Sequence, residues 1–156
     1  MERKTKITAE DGKQELVITR EFDLPLELLF TAYSEPEIIE QWMDNEVVHH
    51  ESKKHGSWQF RKKDKDGNVV FSANGVYHAF VPNEKITRTF EMDNTHFPPQ
   101  LEFFTFESLT EDTSKLTMHV IYKSAALRDE MVKMGMHWGI NMAHDRLQEI
   151  LTKTAK

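Results

Sequence analysis

The sequence contains no cysteine, which removes disulfide bonds, thiolate metal sites and cysteine nucleophiles together. It has no basic excess either. Twenty Lys and Arg stand against 26 Asp and Glu, a formal charge of −6 with the eight histidines neutral. A nucleic-acid binder needs a basic footprint to displace counterions, so that class is disfavoured. No apolar run approaches the roughly 18 residues of a membrane-spanning helix, and segment 1–14 lacks the apolar stretch of a secretory signal. A cytoplasmic protein without membrane contact is the expectation. Repeats, linkers and low-complexity tracts are missing, as are a Walker phosphate loop, Gly-x-Gly-x-x-Gly and Gly-x-Ser-x-Gly. Nucleotide binding and a serine hydrolase site therefore have no sequence warrant.

What is present suits one folded domain over 1–156, with its core over 15–152. A chain of 156 residues buries roughly 68–70% of its unfolded surface, and 38% hydrophobic residues are enough to build a core. Leu16, Ile18 and Phe22 fall on one face of an extended segment, which predicts a first strand after a polar lead-in. Pro25 and Pro36 each announce a short helix, with Glu27 and Glu37 placed to suit the helix dipole. Leu26, Leu29, Phe30 and Tyr33 form one apolar stripe, and Ile38, Ile39, Trp42 and Met43 form another. From Val47 to Tyr122 the period changes to two, with turn signals every dozen residues or so, which predicts a six-stranded antiparallel meander. Asp66-Gly67 reads as a type I′ hairpin turn. Leu116, Met118, Val120 and Tyr122 give the most regular alternation in the chain.

Ser124 is placed to cap one long final helix reaching about Thr152. Met136, Ile140, Ala143, Leu147, Ile150 and Leu151 lie within one arc of it and should face the sheet. Met131, Met134, Trp138 and Met142 fall on roughly the opposite side, an apolar surface that a homodimer or a partner would bury. Scattered exposure is the alternative. Gly135 and Gly139 inside this helix suggest a close backbone approach.

A family resemblance rests on Ile18-Thr19-Arg20-Glu21-Phe22-Asp23, Pro25, Pro36, Trp42, Gly56-Ser57-Trp58, Asp66-Gly67, Gly75, Gly135-Met136, Gly139 and Asp145-Arg146-Leu147. Together these residues resemble the START-like helix-grip (Bet v 1-like) superfamily, and within it the activators of the 90-kDa heat-shock protein ATPase. The likeness runs from Glu15 to Leu151. It implies an α+β fold in which a curved seven-stranded antiparallel sheet wraps a long C-terminal helix. Two short helices follow strand 1, and an apolar cavity lies between sheet and helix. Two departures bear on ligand specificity: Lys53-Lys54-His55-Gly56 stands where the family commonly has Arg-x-Gly-Gly, and His144 where it often has leucine.

Strand parity offers Trp58, Phe60, Phe90 and Met118 to the inner face, opposite Met136 and Ile140, with Tyr77 and Trp42 as further candidate ligand contacts. The alternative is that these side chains meet and fill the core. Arg20 and Arg88 each interrupt an apolar row. Either could form an internal ion pair or bind a ligand anion, although an arginine in such a row more often reaches solvent at a sheet edge. Asp145 reads as a surface charge. Neighbouring His49 and His50 point to opposite faces of a strand, and no Glu completes a zincin-like motif around His137 and His144. No metal or other cofactor is expected.

Three functions follow. The first is non-enzymatic binding of a small hydrophobic or aromatic molecule. The second is a co-chaperone-like module acting on a 90-kDa heat-shock protein, for which the lone domain leaves no room for the extra N-terminal domain of eukaryotic activators. The third is a cavity enzyme of cyclase or hydrolase type, for which no acid or base is identified.

Overall fold

The computed structural model describes residues 4–154. Its elements are β1 (Lys6–Thr8), β2 (Glu15–Phe22), α1 (Leu26–Ser34), α2 (Pro36–Met43), β3 (Glu46–His50), β4 (Ser57–Lys63), β5 (Val69–Val81), β6 (Lys85–Met92), β7 (Gln100–Ser108), β8 (Ser114–Ile121), α3 (Ala125–Lys133) and α4 (Met136–Thr154). The strands form one antiparallel sheet in the order β1-β2-β8-β7-β6-β5-β4-β3. From β3 to β8 the chain is a plain meander. Helices α1 and α2 carry it from β2, near one edge, to β3 at the other. The last strand then returns to pair with β2 along its whole length, from Glu15↔Ile121 to Phe22↔Ser114. This is the helix-grip arrangement, with α4 laid across the inner face.

Local chemistry accounts for most of these elements. In β2, Leu16, Ile18 and Phe22 are buried while Glu21 is exposed, as the alternation requires. Pro36 occupies the first turn of α2, where its missing N–H costs nothing, whereas Pro25 lies one residue before α1. The Ser124 hydroxyl accepts from the Leu127 amide at 3.2 Å and caps α3. Leu147 and Leu151 of α4 are fully buried against the sheet and the two short helices.

Four expectations are corrected. The sheet has eight strands, because Lys6–Thr8 pairs with Val17–Thr19; three residues with one apolar side chain, Ile7, leave no readable period. The C-terminal helix is two helices. Gly135 takes φ 84°, a left-handed conformation that glycine adopts without a Cβ clash, and the chain changes direction there. The close approach expected at Gly135 and Gly139 does not occur, since a Cβ at either would meet nothing within 4 Å. A close approach does occur at Gly75, where a Cβ would collide with the Thr89 carbonyl and Trp58. The Asp66-Gly67 turn is not type I′: only Gly67 has positive φ, and the Asp64 amide donates to the Asn68 carbonyl at 2.8 Å to close a three-residue loop.

Among the described residues, no helix is long and apolar enough to cross a membrane, and no group of three His, Asp or Glu is placed to hold a metal ion.

Candidate ligand cavity

Between the sheet and α4 lies a cavity of about 290 Å³. Seven of the eight residues expected at a ligand site surround it: Trp42 from α2, Phe60 from β4, Tyr77 from β5, Phe90 from β6, Met118 from β8, and Met136 and Ile140 from α4. Trp58 is the exception. It is buried behind the wall, with the Arg88 guanidinium 4.6 Å from its ring centroid. Gly139 and Ala143 also face the cavity, and their small size leaves the space that larger residues would occupy.

The cavity wall carries a charged belt across its middle. Arg88 on β6 is the register partner of Tyr77 on β5 and of Glu102 on β7, and Glu102 is in turn opposite Val120 on β8. The Arg88 Nε donates to Glu102 Oε1 at 2.7 Å, and Gln100 Nε2 donates to Glu102 Oε2 at 2.8 Å. The guanidinium lies over the rings of Trp58 and Phe104, whose centroids are 4.6 and 4.8 Å away. Burial works against its charge, but Glu102 and Tyr77 outweigh that and hold Arg88 above its ordinary value. The expectation that Arg88 reaches solvent is thus corrected: a carboxylate 14 residues away neutralises it internally.

A chain of hydrogen bonds leaves this belt toward the surface, and its direction can be read. Ser52 Oγ donates to the Ser34 carbonyl at 2.6 Å, so it accepts from His50 Nδ1 at 3.0 Å. The other imidazole nitrogen, Nε2, then accepts from the Tyr77 hydroxyl at 2.6 Å. Burial first, and then the charge of Arg88, lower His50 to about 4, which keeps the ring neutral. The Tyr77 hydroxyl is accordingly committed to His50. Two other cavity tyrosines differ. Tyr33 of α1 and Tyr122, just after β8, are buried, and neither hydroxyl has a hydrogen-bond partner among the described residues. Burial raises both of their pKa values, so both are phenols that retain the proton.

Arg20 is likewise buried rather than solvent-exposed. Its Nη2 donates to Asp145 Oδ1 at 2.8 Å and its Nη1 to Asn141 Oδ1 at 3.2 Å. Asp145 is therefore an ion-pair partner, although its side chain remains 50% exposed. The same corner fastens the N-terminal segment. Thr5 is buried, its amide donates to Asn141 Oδ1 at 2.9 Å, its carbonyl accepts from His137 Nε2 at 2.9 Å, and its hydroxyl lies 2.6 Å from His144 Nδ1. The two histidines seven apart on α4 thus serve one threonine. Burial, followed by the charge of Arg20, lowers His144 to about 3, so it too is neutral at pH 7.

The expected apolar outer stripe is broken by the turn at Gly135. Met131 ends up on α3 facing inward, where it is buried and lines the cavity. Trp138, Met134 and Met142 remain outside, 73%, 62% and 41% exposed.

A family model described as "Activator of Hsp90 ATPase homolog 1-like protein" matches residues 23–152. The chain belongs to that family. Its fold is shared with solved structures from several bacteria. A Mycobacterium smegmatis protein superposes with a TM-score of 0.82 at 20% identity, covering 97% of this chain and 99% of the other. An Arthrobacter aurescens protein gives 0.83 at 16% identity over 95% and 91%, and a Staphylococcus epidermidis protein 0.78 at 21% over 94% of each. No curated protein matches the sequence. At these identities the likeness concerns the fold, and the cavity must be interpreted from its own residues.

Sequence reasoning missed the polar residues that line this cavity, Glu102, Gln100, Tyr33, Tyr122 and His144, and His50 behind Tyr77. A signal for Glu102 existed. It has the same strand parity as Phe104 and Phe106, so it interrupts an inward apolar row just as Arg88 does on the neighbouring strand.

Proposed function

We propose that the protein binds one small hydrophobic molecule in the cavity beneath α4 and does not transform it. The observation that carries this reading is the cavity of about 290 Å³, walled by aromatic and aliphatic side chains from the sheet and by Met136 and Ile140 from the helix. Burying about 200 Å² of apolar ligand surface contributes about 5 kcal/mol before ordering costs. Absence of turnover is supported by the state of the titratable groups. The Glu102 carboxylate is held by Arg88 and Gln100, and the Tyr77 hydroxyl is committed to His50.

The test is titration with N-phenyl-1-naphthylamine, an uncharged fluorescent probe. Wild type should bind one equivalent with enhanced emission and a raised Tm. Ala143→Phe fills the cavity and should weaken binding at least tenfold while leaving the protein folded. Unchanged affinity in that variant, or no stoichiometric binding by wild type, would remove the proposal.

A second reading concerns protein contact, and the exposed trio Trp138, Met134 and Met142 favours it. The family description adds a 90-kDa heat-shock protein as a candidate partner beside a second copy of the chain. Sedimentation at tens of micromolar and retention on the purified chaperone would test both, each compared with Trp138→Ser. A monomer that the chaperone does not retain would eliminate this reading.

A further inference from the structure

The cavity has a polar midline and two ends, and the ends carry what the midline lacks. Across the middle, Arg88 is neutralised by Glu102, and Tyr77 is satisfied by His50. Arg88 is the one arginine or lysine among the described residues that line the cavity, so no unpaired positive charge there awaits an anion. At one end, the Tyr33 ring packs 5.6 Å from that of Phe104, whose register partner is Met118. At the other end, Tyr122 follows Met118 by four residues in an extended run, about 13 Å farther along the sheet. Glu102 is opposite Val120, between the two. Each of these end hydroxyls is buried without a partner, and an unmatched buried hydroxyl is costly to maintain. Together they define a complementary shape: two hydrogen-bonding atoms separated by an apolar body.

We propose that the cavity selects an uncharged, elongated molecule with an apolar middle and an oxygen at each end, one oxygen bonded by the Tyr33 hydroxyl and the other by the Tyr122 hydroxyl. This specificity rests on the ligand-binding reading above and sharpens it. A fatty acid or other carboxylate fits poorly, because its charge would enter an apolar site whose arginine is already paired. Tyrosine hydroxyls donate and accept equally well, so alcohols, phenols, ketones and quinones all meet the requirement.

Four matched probes test it by calorimetric titration at pH 7: 4,4′-dihydroxybiphenyl, 4-hydroxybiphenyl, biphenyl and biphenyl-4-carboxylate. The dihydroxy compound should bind tightest, the monohydroxy compound should be intermediate, and the carboxylate should be at least tenfold weaker than the monohydroxy compound. Tyr33→Phe and Tyr122→Phe should each weaken the dihydroxy probe about three- to tenfold, one hydrogen bond's worth, without weakening biphenyl. In the ligand-free protein both substitutions should keep or raise Tm, since the lost hydroxyl had no partner. The specificity is overturned if the carboxylate binds as well as the monohydroxy probe. It is also overturned if biphenyl binds while neither substitution alters the preference for the dihydroxy compound. If none of the four binds, the ligand-binding reading falls with it, an outcome separate from the first two.

Discussion

Arg20 and Arg88 look alike in the sequence, each a single cation in an inward-facing apolar row, yet they are neutralised in opposite ways. Arg88 has a buried carboxylate, Glu102, on the adjacent strand, two aromatic ring centroids at 4.6 and 4.8 Å and a place in the cavity lining. Arg20 has a half-exposed carboxylate, Asp145, on a helix 125 residues away, together with Thr5 and Asn141. One pair belongs to the wall of the cavity, and the other fastens the N-terminal segment to α4. Solvent access to the carboxylate decides how much each pair contributes to stability. A charge left alone away from water is costly, whereas one left near water is hydrated.

The largest effect should come from breaking the inner pair. Glu102→Gln leaves the Arg88 charge buried and unneutralised, at a cost of about 3–5 kcal/mol, or a fall in Tm on the order of 10 °C. Replacing both partners with apolar residues, Arg88→Met with Glu102→Leu, should recover most of that loss. Urea denaturation of Arg88→Met, Glu102→Leu and their double gives the coupling directly. If the double is no better than Glu102→Gln, desolvated charge is not what makes the inner site costly to break.

A smaller effect should come from acid at the outer corner. The folded-state pKa of His144, about 3, lies below its unfolded value of 6.5. Between those values the unfolded chain binds more protons, so stability falls as pH falls. Well above pH 6.5 the imidazole is neutral in both states and contributes no slope. About 2 kcal/mol should be lost between pH 6.5 and 4.5, by denaturation at each pH. His144→Leu should flatten that dependence relative to wild type, and an unchanged profile would place the proton uptake elsewhere. The smallest effect is expected for Arg20→Met. The charge it leaves alone, the Asp145 carboxylate, is half in water, and Thr5 keeps Asn141 and His144, so the cost should stay below about 1 kcal/mol. A loss as large as that of Glu102→Gln would mean that the two arginine sites are equivalent after all.

The contrast also shows what the sequence could reveal. Strands β2 and β8 were legible because their side chains alternate cleanly, and the inward side of α4 because Met136, Ile140, Ala143, Leu147 and Leu151 share one arc. Met118, Met136 and Ile140 of the cavity wall followed from those two patterns. The break at Gly135 was hidden because a glycine inside a strong helical pattern reads as a small cost rather than a turn. That misreading put Met131 on the outer surface. Arginine partners were hidden for a different reason: periodicity assigns a face but not a neighbour, and Asp145 comes close to Arg20 only once the whole chain has closed. Tyr33 and Tyr122 were visible as apolar positions, but whether a hydroxyl is satisfied depends on every group around it.

The pairing of β2 with β8 joins segments about 100 residues apart, whereas each link of the meander joins neighbours. Closing a loop ten times longer than a hairpin costs about 2 kcal/mol more in chain entropy, so during folding this seam is favoured only after the local hairpins exist. The cavity is consequently finished last. Until Leu16 and Ile18 dock and α4 settles across them, a nascent chain displays an open oily trough, the period in which self-association is most dangerous to it.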